Sequence, residues 1–197
     1  MKTPRLFLIL SLFAIIFSSC TLPCGSFPAK LAGQWVPYKK GDVLKFQCKE
    51  SIIEFKIDST FKTKPYSRDL ISEERCYATY LVSSSKNDYP FLKAKCTVST
   101  EGGDGYMSIL YSIYTDKGKE NLFDFSFNYK DDNDPRYKKI PFVLDTIKYN
   151  LGTYNLDDVL VVGSYRDEVV IPKIYLHKAK GLVGFTTVDG KEYKLVE

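Results

Sequence analysis

GYMSILYSIYT (residues 105–115) and ENLFDFSFNY (residues 120–129) decide the fold. Met107, Ile109, Tyr111 and Ile113 alternate with Ser108, Leu110 and Ser112, while Phe123, Phe125, Phe127 and Tyr129 alternate with Asp124, Ser126 and Asn128. A period of two is the signature of a half-buried strand. Folding the pair about Gly118, in the loop Asp116 to Lys119, opposes Ile113 to Phe123, Tyr111 to Phe125, Ile109 to Phe127 and Met107 to Tyr129. One face of the hairpin is then core and the other mostly solvent.

The same alternation runs outward in both directions. In SIIEFKIDSTF (51–61), Ile53, Phe55 and Ile57 interleave with Glu54, Lys56 and Asp58. In GLVGFTTVDGKEYKLV (181–196), a two-residue Asp189-Gly190 turn would split the apolar set. A loop of Val188, Asp189 and Gly190, with Gly190 left-handed, pairs Phe185 with Tyr193 and Val183 with Leu195. Further strands are expected at Val43 to Gln47, Val159 to Val162 and Ile171 to Leu176. No window shows a clean helical stripe, so the chain is expected to be all-β, with about 9–11 antiparallel strands in a single β-sandwich or up-and-down β-barrel-like domain. Residues 130–158, with two Pro and a charge run, read as a long loop with a short helical turn around Phe142 to Tyr149, and as a candidate contact surface.

The chain has 197 residues, 28 Lys plus Arg against 24 Asp plus Glu, five Cys and one His, and it is 44% hydrophobic. That content is sufficient to offset the ordering entropy of a folded domain. A formal net charge of +4 is too weak for a nucleic-acid footprint, so no nucleic-acid partner is expected.

Residues 1–20 read MKTPRLFLILSLFAIIFSSC: Lys2 and Arg5 precede an apolar run, then Ser18, Ser19 and Cys20. The run is short for a membrane span and suited to a signal-peptide core. FSSC resembles the lipobox of bacterial lipoproteins, with Phe17 where Leu is usual. The resemblance implies that residues 1–19 are removed and that Cys20 carries a diacylglycerol thioether and an amine-linked acyl chain. More than one chain is what stable anchoring requires. An ordinary cleaved signal or an uncleaved anchor helix is the alternative. Residues 20–40, TLPCGSFPAKLAGQWVPYKK after the lipidated Cys, read as tether and lead-in, and residues 41–197 as the β-domain.

Assigning Cys20 to lipid leaves Cys24, Cys48, Cys76 and Cys96, an even set suited to an oxidising compartment. A hairpin of residues 76–83 with 89–99 centred on Lys86 would face Cys76 with Cys96, at a separation a disulfide accepts. The remaining pair is Cys24 with Cys48, a bridge of about 3 kcal/mol by chain entropy. No spacing suggests a metal-thiolate site.

Candidate site residues are few. His177 reads as a strand-end residue, outside any catalytic motif. Asp131, Asp132 and Asp134 form an oxygen-rich cluster of the kind Ca²⁺ favours, but Pro135 and Arg136 occupy positions where a calcium loop needs a ligand and Gly; a solvated acidic loop is the better reading. STEGGDG, with Glu101 and Asp104, reads as a turn. Trp35 and Tyr38 are the aromatics most available to a partner, the other reading being that Trp35 plugs one end of the domain. No cofactor is implied.

The FSSC signal, WVPYKKGDVLKF and KAKGLVGFTTVDGKEYKL together resemble the small lipoproteins of Bacteroides-type bacteria. The resemblance implies an envelope lipoprotein and carries no catalytic residues across. By the same resemblance an acidic run after the Cys would favour surface export; Thr21, Leu22 and Pro23 supply none, which implies an outer-membrane anchor facing the periplasm. The functional expectation is a lipid-anchored, non-enzymatic β-domain that binds or scaffolds an envelope protein or glycan, its membrane contact made by the lipid. The alternatives are a lipocalin-like carrier of a small apolar molecule, which needs a cavity, and a carboxylate-based hydrolase, which needs two acids about 5–10 Å apart.

Overall fold

The computed structural model describes residues 29–67, 76–84, 90–101, 104–115, 119–128, 143–164 and 169–196. They form one short helix, α1 (Ala29–Trp35), and twelve strands: β1 (Val43–Cys48), β2 (Ser51–Lys62), β3 (Tyr66–Ser67), β4 (Cys76–Ser84), β5 (Phe91–Glu101), β6 (Asp104–Tyr114), β7 (Glu120–Asn128), β8 (Val143–Asn150), β9 (Asn155–Gly163), β10 (Lys173–His177), β11 (Gly181–Thr186) and β12 (Glu192–Val196). The expected all-β class holds. Of the two architectures expected it is the barrel-like one, realised as a single curled antiparallel sheet, a half-barrel.

The order across the sheet is β7-β6-β5-β4-β2-β1-β12-β11-β10-β9-β8, with β3 beside β4. The chain therefore starts mid-sheet, runs outward to β7, crosses to the far edge at β8 and returns until β12 pairs with β1. The two edge strands, β7 and β8, are not paired with each other among the described residues, so the topology is that of an up-and-down barrel left open.

The alternation read from the sequence becomes the two faces of this sheet. Phe55 and Ile57 of β2, Met107, Ile109, Tyr111 and Ile113 of β6, and Phe123, Phe125 and Phe127 of β7 are all buried on the concave side. Each such side chain contributes about 1.5–3 kcal/mol on leaving water. On the far arm, Leu160, Val162, Ile174, Leu182 and Phe185 join the same core. Val159, Val161, Tyr175 and Val183 point the other way and form a smaller cluster with Tyr149 and Leu156. Gly184 makes room for it: a methyl there would meet Tyr149 Oη and, at 2.8 Å, the Tyr193 carbonyl oxygen.

The structure corrects four expectations. The β11–β12 hairpin has the expected register, Phe185 opposite Tyr193, with Gly190 at φ +78°, but β6 and β7 are slipped by two residues. Tyr111 opposes Phe123 and Ile113 opposes Asn121: Tyr114 pairs with Glu120 and Thr115 N–H donates to the Lys119 carbonyl, so the hairpin centres one residue before Gly118. An even slip preserves the faces. In β4–β5 the slip is four residues: Cys76 opposes Thr100 and Cys96 opposes Tyr80. That places the two cysteines about 13 Å apart along the strands, too far for a bridge.

Residues 130–158 are not one loop with a helical turn. Residues 143–150 and 155–158 belong to β8 and β9, paired with irregularities between Val143 and Asp145 and between Ile147 and Tyr149. Each inserted residue resets the alternation and hides the strand from a period-two reading. Finally, part of the expected tether packs into the core. Ala32, Trp35, Val36 and Tyr38 are buried inside the curl.

Candidate functional site

Trp35 and Tyr38 are 3% exposed each, which removes them as a surface for a partner and makes them the plug of the half-barrel. Trp35 packs edge-on to Phe125 at 5.3 Å and against Phe127 at 6.0 Å. Its carbonyl accepts from Tyr111 Oη at 2.5 Å, while Tyr80 Oη donates to the Tyr38 carbonyl at 2.7 Å and Leu182 N–H to Tyr38 Oη at 2.5 Å. Burial pushes the Tyr38 phenol up to about 12, against its bonds to Tyr111 and Leu182, and holds Tyr111 well above the ordinary value. Both hydroxyls are neutral structural links between the plug and the sheet.

Cys48 and Cys96 are free thiols, so neither expected bridge, Cys24–Cys48 or Cys76–Cys96, forms, and among the described residues no two cysteines stand at disulfide distance. Cys96 lies fully buried in the core, where burial pushes its thiol up to about 12. It is an inert core residue. Cys76 is disulfide-bonded, to neither Cys48 nor Cys96. Cys20, Cys24, Asp131, Asp132 and Asp134 lie outside the described residues. Among the described residues no three metal-ligating side chains converge and no helix is long and apolar enough to cross a membrane.

His177 ends β10, as expected. Its Nδ1 is buried without a hydrogen-bond partner among the described residues. Burial and the Lys180 ammonium lower its pKa, and Asp158 opposes them.

The feature that sequence reasoning missed is a cleft of about 330 Å³ in one mouth of the half-barrel. Ile53 and Phe55 of β2, Ile113 of β6, Ile171, and Phe185 and Tyr193 of the β11–β12 hairpin form its walls. Elements far apart in sequence meet here because β2, β6 and β11–β12 all present alternate residues to the concave side. The aromatic part is itself packed: Phe185 stacks on Tyr193 at 5.0 Å, and Phe46 lies behind at 5.4 Å from Phe185 and 5.7 Å from Phe55. Tyr193 Oη is tied to Ser51 Oγ at 3.2 Å.

Asn121 fixes the part of the lining made by Val170 and Ile171. This fully buried side chain accepts from the Val170 and Ile171 N–H groups through Oδ1, 2.9 Å each, and donates from Nδ2 to the Ile113 carbonyl at 2.9 Å. Val188 N–H donates to the Val170 carbonyl at 2.9 Å. At this end the Asn121 amide ties edge strand β7 to the segment before β10. Thr115, next to this bridge, lines the cleft with its Oγ1 buried and unpartnered among the described residues.

A second cavity, about 280 Å³, lies against α1 and is lined by Gly33, Val36, Pro37, Tyr38, Lys62 and Tyr80 among others. Its two tyrosine hydroxyls are already engaged within the protein. The β6–β11 cleft is the candidate site, because it is the roomier of these two and joins aliphatic to aromatic walls. Comparison with protein families, with curated proteins and with solved structures returns no match for this chain.

Proposed function

We propose that this protein is a lipid-anchored cell-envelope lipoprotein whose half-barrel is a non-enzymatic binding domain, with the β6–β11 cleft as its ligand site. The observation that carries the binding half is the cleft itself. Its volume falls at the lower end of small-molecule pockets, and its described lining offers apolar contact and hydroxyls. Its described lining residues include no carboxylate, which favours binding over the hydrolase reading. This reading moves the expectation of a scaffold toward that of a carrier of a small apolar molecule.

The anchor half rests on the sequence MKTPRLFLILSLFAIIFSSC. Metabolic acyl labelling of wild type against Cys20→Ala tests it: label is expected only on wild type, in the outer-membrane fraction and shielded from protease in intact cells. Unchanged labelling of the variant would defeat it.

Thermal-shift measurements with n-decanol and N-phenyl-1-naphthylamine test the site. Ile53→Trp fills the cleft, whereas Ile52→Trp places the same ring on the opposite face, where Ile52 is 55% exposed. Ligand stabilisation is expected in wild type and Ile52→Trp and is lost in Ile53→Trp. Equal stabilisation of all three would refute the assignment.

A further inference from the structure

Resting on the lipid anchor proposed at Cys20, we infer that a Cys24–Cys76 disulfide holds the α1 end of the half-barrel against the membrane. Phe61 and Tyr66 then enter the headgroup layer, the lysines of that end meet anionic lipid, and the β6–β11 cleft opens away from the bilayer. Elimination assigns the bridge. Cys76 is disulfide-bonded, Cys48 and Cys96 are free thiols, and the chain has five cysteines. The partner is therefore Cys20 or Cys24, and a Cys20 sulfur held in a thioether leaves Cys24. The bridge forms by exchange with an external disulfide: the Cys24 and Cys76 thiols lose two protons and two electrons, and the external disulfide takes them up to become two thiols.

The bridge fixes which end meets the lipid. Cys24 comes four positions after Cys20, a reach of at most about 14 Å, and the Cα–Cα span of a disulfide adds about 6 Å. Cys76 opens β4 and Ser84 closes it, about 26 Å further along the strand. The tether is too short to turn the opposite mouth toward the bilayer. That opposite mouth holds the cleft: Ile53 and Tyr193 lie near the starts of β2 and β12, and Ile113 and Phe185 near the ends of β6 and β11.

The surface beside Cys76 suits lipid. Phe61 and Tyr66 are 59% and 43% exposed. They oppose Leu81 and Tyr77 of β4, so the four side chains share the outer face of the sheet. Aromatic rings of this kind are favoured at a membrane interface. Lys39, Lys40, Lys62, Lys64 and Lys178 are exposed at the same end, where the described acidic residues are Asp42, Asp157 and Asp158. Between β3 and β4, residues 68–75 bring two Arg against one Asp and two Glu, and residues 129–142 hold four basic against three acidic side chains. The end stays basic, and basic residues held near anionic headgroups are attracted to them.

Two measurements on the lipidated protein purified from membranes test this. Peptide mapping under non-reducing, denaturing conditions is expected to give a Cys24–Cys76 peptide. Alkylated Cys76 would overturn the inference, and a Cys20–Cys76 peptide would overturn it together with the lipid anchor. Lysine acetylation with sulfo-N-hydroxysuccinimidyl acetate, read by mass spectrometry, compares protein in detergent with protein in nanodiscs of phosphatidylethanolamine and phosphatidylglycerol. Lys39, Lys40, Lys62 and Lys64 are expected to react at least about threefold more slowly in nanodiscs, while Lys49 and Lys191, in the β1–β2 and β11–β12 turns at the cleft end, stay within about 1.5-fold. Phe61→Ser combined with Tyr66→Ser should remove at least half of the protection. Ile52→Ser, which deletes an equally exposed apolar side chain at the cleft end, should leave it intact. All three substitutions change exposed side chains, and Trp35 fluorescence checks that the variants fold. No protection, equal protection at both ends, or protection of Lys49 and Lys191 alone would overturn the docking while the bridge and the anchor stand. Unchanged protection in the double variant would overturn the role of the aromatic pair.

Discussion

Asn121→Leu is the substitution on which the architecture is most exposed. The side chains are close in size, so packing changes little, but the change removes the acceptor of the Val170 and Ile171 N–H groups and the donor to the Ile113 carbonyl. Leaving a buried backbone group unpaired costs about 1–3 kcal/mol. The Ile171 N–H group is buried at this contact and the Val170 N–H group partly so. Two such groups, one of them open to partial hydration, give a loss of about 2–5 kcal/mol, against a total of about 5–15 kcal/mol for a typical domain. At this chain length Tm should fall by about 5–15 °C.

Trp35 is the only tryptophan and is packed on Phe125 and Phe127, so its fluorescence reports urea unfolding of the core directly. Ser126→Ala, on the exposed side of the same strand, is the control and should change stability by less than about 0.5 kcal/mol. Hydrogen exchange should show the Val170 and Ile171 amides losing protection in Asn121→Leu before the rest of the sheet. A loss below about 0.5 kcal/mol, with those amides still protected, would refute the reasoning that the Asn121 amide ties β7 to the segment before β10.

Three further outcomes follow from the same structure. Gly184→Ala should destabilise by about 1–3 kcal/mol through overpacking, since the new methyl meets Tyr149 Oη; Tyr149→Phe should recover part of the loss in a double-mutant cycle. Maleimide should label Cys96 only after unfolding, because the thiol is buried and its pKa is raised to about 12; peptide mapping under non-reducing, denaturing conditions should find Cys48 and Cys96 both alkylated, and a Cys76–Cys96 bridge would contradict the observed register. His177 has a lowered pKa in the folded protein, so the folded state binds fewer protons there than the unfolded state. Its contribution is present above about pH 6.5 and is lost as pH falls through the folded value; His177→Gln should flatten the Tm profile between about pH 5 and 7, and an unchanged slope would reject the assignment.

What was legible in the sequence was whatever alternates without interruption. Met107 to Ile113, Phe123 to Phe127 and Ile53 to Ile57 fell on the expected face, and the β11–β12 register followed from the choice that kept Phe185 opposite Tyr193. Registers set by loop length were less legible. An even slip leaves the apolar pattern intact, so nothing in the pattern of β4–β5 or β6–β7 selects among slips of zero, two and four. Irregular pairing concealed β8, whose Tyr149 reads as loop in the sequence and is buried against Tyr175 at 4.5 Å.

The cleft was illegible for a different reason. Ile53, Ile113, Ile171 and Phe185 each read as ordinary core, and only the curl of the sheet leaves a space between them. Asn121 carried a faint signal, a polar residue at the start of the apolar stretch ENLFDFSF. It sits opposite Ile113 on the core face once the register is known.

The most direct test of the binding assignment is methyl-selective NMR of isoleucine during titration with N-phenyl-1-naphthylamine, or with n-decanol if that is the probe that binds. Ile53, Ile113 and Ile171 line the cleft, and Ile52 projects from the opposite face of β2. The methyl resonances of Ile53, Ile113 and Ile171 are expected to shift together and saturably while that of Ile52 stays in place. Shifts confined to Ile52 and other exposed positions, or a saturable ligand that leaves those three methyls unmoved, would contradict it.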